Sequence, residues 1–269
     1  MTEGGSRISS RNAMGDAASA ATPPLITVVT VVRNGAGTIR QAIDSVAGQT
    51  FRDFEYVIVD GASTDGTVQV LQEYGDRIGY WISERDSGIY SAWNKALGLA
   101  RGTWVAFLGA DDSYYADALD NYARKIATLS GNIQYISSRV DLIRHGKAVR
   151  TIGSAWSWPA FLRRMTVAHV GSLHHRTLFD EYGRYDESYK LCGDYELLLR
   201  PREKLRTAFV DQVTARMTLG GASNANVSSA LAEQERAKRN TGNRAAWLCA
   251  LERRKAYAIH QYRSLVGEM

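Results

Sequence analysis

Long apolar runs and sulfur are what this chain has least of. No stretch approaches the roughly 18 consecutive apolar residues that span a bilayer, and the first residues lack the apolar core of a signal peptide. A membrane-spanning helix is therefore excluded on length. Cysteine occurs twice in 269 residues, at Cys192 and Cys249, with no paired spacing. That excludes a disulfide framework and a structural zinc site, and a reducing cytoplasm is the expected compartment. A strong excess of one charge is also lacking: 33 Lys and Arg against 28 Asp and Glu leave a net +5. A solvated surface accounts for that excess, so no nucleic-acid partner is expected. Two nucleotide signatures are missing as well. There is no lysine-rich phosphate loop, and after Gly35 and Gly37 position 40 is Arg where a dinucleotide fingerprint needs its third glycine.

What is present is a repeated unit of apolar run, polar loop and amphipathic helix, with 45% hydrophobic residues, enough to fill a core. Residues 1 to 24 have little periodic hydrophobicity, close on Pro23 and Pro24, and read as a disordered leader. The β-branched run Leu25 to Val32 reads as a central strand, and Ile39, Ala42, Ile43 and Val46 then fall at helical spacing behind Thr38, an expected N-cap. Phe54 to Val59 and Gly79 to Ser83 give further strands, and Trp104 to Leu108, bounded by Gly102 and Gly109, a fourth. Ligands in parallel sheets gather at the carboxyl ends of strands, and here those ends carry Arg33, Asp60, Asp86, Asp111 and Asp112. This exceeds what helix capping requires and points to a nucleotide site. The hard oxygen donors of Asp111-Asp112 suit Mg²⁺ or Mn²⁺, with substrate phosphates completing the shell.

The motifs Thr30-Val31-Val32-Arg33-Asn34, Ser45-Val46-Ala47-Gly48-Gln49-Thr50, Asp60 to Thr67, Asp86-Ser87-Gly88-Ile89-Tyr90 with Asn94-Lys95, and Asp111-Asp112 together resemble the inverting glycosyltransferases of family 2 and the GT-A fold. The resemblance runs over about residues 25 to 220. It implies an α/β domain at 25–219, with a mostly parallel, Rossmann-like central sheet flanked by helices. Residues 25–115 would be its nucleotide-binding half and 116–219 its acceptor half, followed by a helical C-terminal extension at 220–269. By the resemblance, Asp60 contacts the base while Thr30, Val32 and Arg33 line its pocket, partly through backbone groups. Asp86, Asn94 and Lys95 lie nearby, Asp111 faces the ribose or first phosphate, and Asp112 holds the metal against the diphosphate. The implied reaction moves a sugar from a nucleoside diphosphate donor, UDP-sugar favoured, to a saccharide or lipid-linked saccharide in bacterial cell-surface polysaccharide synthesis. A binding protein that has lost catalysis and a nucleotidyltransferase stand as the alternatives. Gly61-Ala62 departs from the relatives' Asp-Asp-Gly-Ser, which bears on base preference.

The second half opens with a helix striped by Leu119, Tyr122, Ile126 and Leu129, followed by a hairpin turning at Arg144-His145-Gly146-Lys147. Trp156, Trp158, Pro159 and Phe161 form an aromatic cluster, readable either as core or as a platform for sugar rings; the expectation is that Trp158 meets a sugar. The resemblance places His169 and His174 near the donor sugar or acceptor. It also matches Tyr185 to Arg200 to the segment that carries the catalytic base, making Asp194 the base and Glu196 and Asp186 the next candidates. Read from the residues alone, Asp194 serves equally as an N-cap, with Glu196 as a neighbour able to restore its basicity. After Thr218 the tail carries eight Lys or Arg against four acidic residues. Ala245, Leu248, Leu251, Tyr257, Ile259 and Tyr262 form one apolar side beside Arg253, Arg254 and Lys255. That side is expected to dock on the domain or to make peripheral contact with the inner face of the plasma membrane.

Overall fold

The structure, a computed structural model, describes residues 1–8, 22–220 and 226–265, with side chains through residue 262. The first half runs β1 (Thr2–Gly4), β2 (Ile26–Val32), α1 (Ile39–Ala47), β3 (Phe54–Asp60), α2 (Thr67–Glu73), β4 (Tyr80–Ser83), α3 (Ile89–Leu99) and β5 (Trp104–Phe107). The second runs β6 (Ser113–Tyr114), α4 (Ala118–Ala127), β7 (Tyr135–Arg144), β8 (Lys147–Ile152), α5 (Trp158–Phe161), β9 (Ser172–His175), α6 (Arg176–Tyr182), α7 (Gly193–Leu199) and β10 (Thr207–Thr218). Two helices, α8 (Val227–Asn240) and α9 (Ala246–Leu265), form the C-terminal extension.

One sheet spans both halves in the order β1-β4-β3-β2-β5-β9-β7-β10-β6, with β8 added to β7. The block β4-β3-β2-β5 is parallel, as the strand and helix alternation requires, and so is the β7-β10 pair. β1, β9, β6 and β8 join antiparallel. Strand alternation divides the parallel block between two cores. Ile26, Val28, Tyr56, Ile58, Trp104 and Ala106 meet α1 and α4 on one face, while Val29, Val57, Val59, Val105 and Phe107 meet α3 and α7 on the other. Both faces being covered is why these strands read as unbroken apolar runs. The hairpin turns at His145-Gly146, with φ of 48° and 75°, the double positive φ of a type I′ turn.

Three expectations are corrected here. The leader is structured at its start: Thr2–Gly4 pairs with β4, and Arg7 forms an ion pair with the buried Glu55. A hydrophobic pattern cannot reveal an edge strand held by backbone bonds, a hydrogen bond from the Tyr80 hydroxyl to Glu3 and the Arg7 ion pair; residues 9–21 lie outside the described residues. The Thr38 hydroxyl does not cap α1, because it donates to Gly35 O at 3.4 Å instead. On α9 the apolar side does not face the domain. Cys249 packs against α8 while Leu251, Tyr257, Ile259 and Tyr262 are exposed. The expected turn at 220–223 falls mostly outside the described residues.

Candidate active site

β2 pairs with β3 to its last residue, Val32 opposite Asp60, but with β5 only as far as Val29 opposite Phe107. A notch therefore opens at the carboxyl end of the sheet between the end of β2 and the loop after β5. One wall consists of the loops after β2 and β3, which are bonded to each other. Asn34 N–H donates to Ser63 Oγ at 2.7 Å, Gly35 N–H to Thr67 Oγ1 at 2.9 Å, Ala36 N–H to Asp65 Oδ2 at 3.0 Å, and Thr64 N–H to Asn34 Oδ1 at 2.9 Å. Asp65 also accepts from the Thr67 hydroxyl, which with the Ala36 N–H holds its carboxyl below the ordinary value. The polar residues of the 60–67 motif thus set the shape of the first loop.

Asp60 is buried, accepting from Ser63 N–H at 2.9 Å, from Ser83 Oγ at 2.6 Å and from the Ser63 hydroxyl. Beside it, a Cβ placed on Gly61 would lie 2.6 Å from Asp86 Oδ2 and 3.4 Å from Arg33 Cβ, so the bare glycine is what lets these two groups approach. Arg33 is exposed and meets no carboxylate among the described residues. Across the notch, a Cβ on Gly109 would lie 2.5 Å from Asp112 Oδ2 and 3.1 Å from Asp111 Oδ1, so both carboxylates flank one small space. Asp112 Oδ1 accepts from Thr218 N–H at 2.8 Å and the Thr218 hydroxyl donates to Asp111 O at 2.6 Å, fixing the pair to the end of β10. Burial, and next the charge of Asp111, push the Asp112 carboxyl up to about 7. A cation would relieve that repulsion. The described residues hold no group of three or more His, Cys, Asp or Glu able to bind a metal by themselves.

The third carboxylate stands on α7. Asp194 lies in the first turn, with Cys192 at the N-cap position, so it is not the cap. Burial pushes its carboxyl up to about 6, against the pull of the Tyr195 N–H and of the Tyr90 hydroxyl, which donates to Oδ1 at 3.3 Å. A value near 6 leaves it ionised at neutral pH and still basic. The turn before it is held from outside the domain: Glu233 of α8 accepts from the N–H groups of Lys190, Leu191 and Cys192 at 2.8, 2.8 and 2.9 Å. Its charge also raises the Asp194 carboxyl. Glu196, the expected neighbour, is instead taken by Arg200 and Thr241, and Asp186 accepts from Ser188 N–H at 2.9 Å. The nucleotide side is tied to this segment by Lys190, which donates to Ser87 O at 3.1 Å, and by Ser87, which donates to Glu187 at 3.2 Å.

The glycosyl transferase family 2 model matches residues 27–176. A PGL/p-HBAD biosynthesis glycosyltransferase of Mycobacterium tuberculosis is 31% identical over 207 residues, covering 75% of this chain and 80% of the relative. The chain belongs to glycosyl transferase family 2. Solved structures show the same fold for this glycosyltransferase. S. aureus TarS 1–349 in complex with UDP superposes with a TM-score of 0.63 at 18% identity over 79% of this chain, which spans 64% of that longer one. The mannosyltransferase PcManGT from Pyrobaculum calidifontis, in complex with GDP-Man and Mn2+, gives 0.66 at 17% identity, covering 91% of this chain and 76% of that one.

Within the glycosyltransferase, Arg33, Asp60, Asp86, Asp111 and Asp112 gather around the notch, and the side chains of several other expected residues are engaged elsewhere. Thr30 is buried with its hydroxyl accepting from Tyr56 at 2.9 Å, and the Val32 side chain is in the core, because even-numbered residues of β2 face α1; at the notch Val32 presents its backbone, its carbonyl accepting from Gly61 N–H at 2.8 Å. Asn94 is engaged by the segment before α7: its amide donates to Tyr185 O and Glu187 and accepts from Tyr185 N–H. Lys95 pairs with Glu84 at 2.7 Å. Both residues position loops. His174 is fully buried, ringed by Phe107, Tyr135 and Phe179, and burial pushes it down to about 3. His169 stacks between Trp93 and Phe107 with both ring nitrogens buried and unpartnered among the described residues, and burial pushes it well down. The His174 ring is closed off from a sugar, while His169 is only partly buried. Trp158 is half-buried against the second core, and the Cys192 thiol, pushed up to about 12 by burial, is no nucleophile. Sequence reasoning missed Ser83, Thr218, Tyr90 and Glu233 as site residues. Only Tyr90 stood within a recognised motif.

Proposed function

We propose that this glycosyltransferase moves a sugar from a nucleoside diphosphate donor to a hydroxyl of a saccharide or lipid-linked saccharide, with inversion, in the cytoplasm. The observation that carries this reading is the division of carboxylates: Asp111 and Asp112 flank one space at the notch, while Asp194 stands apart on α7 with its basicity raised by burial. Asp60 and Asp86 line the end for the base and ribose, and Arg33, with no carboxylate partner among the described residues, is a cation for phosphate. A hard-oxygen pair fits Mg²⁺ or Mn²⁺, and since no larger donor cluster exists among the described residues, Asp112 with Asp111 would hold the ion jointly with the diphosphate. When bound, such an ion supplies charge neutralisation for the departing diphosphate. Asp194 removes the proton of the acceptor hydroxyl, and a single carboxylate in that role supports inversion over a double displacement.

A UDP-sugar is the first donor to test, since TarS is solved with UDP and with UDP-GlcNAc, and GDP-mannose is the second, since PcManGT is solved with it. Family membership sets aside the nucleotidyltransferase reading, which would require a triphosphate and release pyrophosphate. Calorimetric titration of UDP and GDP with and without Mn²⁺ tests the proposal. Tight binding is expected only with metal, and EDTA should abolish it. Asp112→Asn should weaken nucleotide binding in Mn²⁺ by about tenfold or more while leaving the melting temperature close to wild type. Equal affinity with and without metal would refute the assignment of Asp112.

A further inference from the structure

α9 docks on α8 through one side only. At 100° per residue Trp247, Leu251, Ala258 and Tyr262 fall within an arc of about 60°, opposite the side where Cys249 is 1% exposed. Trp247 is 65% exposed, Leu251 54% and Tyr262 64%. Of the eight large hydrophobic residues exposed among the described residues, five belong to this helix, so the apolar surface is concentrated and not scattered. Charge is sorted in the same way. Glu252 turns inward to Lys238 at 3.0 Å and to Arg244, and Arg253 pairs with Glu235 at 3.1 Å. Arg254 and Lys255 border the apolar stripe on its two sides, exposed, with no carboxylate partner among the described residues. No described helix is long and apolar enough to cross a membrane.

We propose that the outer face of α9 is a docking surface for an anionic lipid bilayer, with Trp247, Leu251 and Tyr262 entering the interface and Arg254 and Lys255 meeting the headgroups. A stripe of aromatic and aliphatic residues bordered by cations, on a helix of low overall hydrophobicity, suits a helix lying in the plane of the interface. A second copy of the chain fits this face poorly. Two-fold pairing of the stripe sets Arg254 and Lys255 against their own copies, and the acid of this stretch, Glu252, points the other way.

The test is co-sedimentation of the full chain with vesicles of phosphatidylcholine alone and of phosphatidylcholine mixed with phosphatidylglycerol. Binding to the mixed vesicles, loss of that binding as salt rises, and little binding to the neutral ones are expected. Arg254→Gln with Lys255→Gln should weaken binding on the order of 25-fold at low salt, since each cation near an anionic surface contributes about fivefold. Trp247→Ser with Leu251→Ser should abolish it. Both pairs lie on exposed positions and should keep the wild-type melting temperature; if either variant misfolds, the salt and lipid dependence of the unaltered chain still decides. Equal binding to both vesicle types, full binding by either double variant, or a self-association removed by Trp247→Ser without any vesicle binding would overturn the proposal. Nucleotide affinity, measured in parallel, reports separately on the donor site.

Discussion

Asp194 is held between opposing influences. Burial and the charge of Glu233 raise its carboxyl, while the Tyr195 N–H and the Tyr90 hydroxyl lower it, and the result is about 6. For a general base the sign is fixed: below that value the carboxyl is protonated and idle, so turnover should rise with pH through about 6 and level off above it. Asp194→Asn should cut turnover by roughly 10² to 10⁴ with nucleotide affinity almost unchanged, read from steady-state rates beside a binding titration. Tyr90→Phe removes a hydrogen bond to the ionised form and should move the acidic limb of the pH profile upward. If Asp194→Asn transferred sugar at a normal rate, the base would have to be sought elsewhere. Glu196 and Asp186 are poor replacements, being held by Arg200 and by Ser188.

At the level of elements, α8 holds the segment ahead of α7 through Glu233 and through Arg236, which donates to Ser188 Oγ at 3.1 Å and stacks on Tyr189. Glu233 gathers three successive backbone N–H groups ahead of α7, an arrangement that fixes the course of the chain into that helix. Glu233→Gln keeps the shape but gives up the charge and at least one acceptor. We expect turnover to fall about tenfold with nucleotide affinity preserved, and the acidic limb to move downward because the raising charge is gone. Opposite displacements of that limb for Tyr90→Phe and Glu233→Gln separate electrostatic control of Asp194 from simple loss of packing, which shifts neither in a defined direction. The strands and helices of the first half were legible because β-branched runs and 3.6-residue spacing report local direction. Glu233 carried no such signal: it sits on a polar stretch, and its partners lie far back along the chain.

At the scale of the molecule, the amino end and the sheet are joined at Glu55. This buried carboxylate accepts from Thr27 Oγ1 at 2.7 Å, from Arg101 N–H at 2.5 Å and Nε at 2.9 Å, and from Arg7. Burial alone would raise its carboxyl, but the Thr27 and Arg101 hydrogen bonds, with the charge of Arg7, bring it below the ordinary value of 4.5. A depressed carboxyl contributes stability above its unfolded value and loses it as pH falls through the folded one. Glu55→Ala should therefore cost about 2 kcal/mol at neutral pH, discounted for the half-exposed Arg101, and lower the melting temperature by roughly 5 °C. Scanning calorimetry at falling pH should show the gap to wild type closing below the ordinary carboxylate range. A constant gap would assign the effect to packing instead.

The chain by itself determined its family, its alternation of strand and helix, and the gathering of Arg33, Asp60, Asp86, Asp111 and Asp112 at one edge of the sheet. Each of these follows from local rules: where an apolar run stops, the next side chains stand at the carboxyl end of a strand. Tertiary structure decided which polar groups remained free. Asn94 and Lys95 sit in a recognised motif yet are engaged by Tyr185, Glu187 and Glu84, and His169 and His174 are enclosed by aromatic rings. It also decided which side of α9 is covered, since helical spacing defines a face but not the neighbour that meets it. Desolvation and hydrogen-bond partners are set by residues distant in the chain, and they raise the Asp194 carboxyl to about 6 and leave Arg254 and Lys255 facing outward.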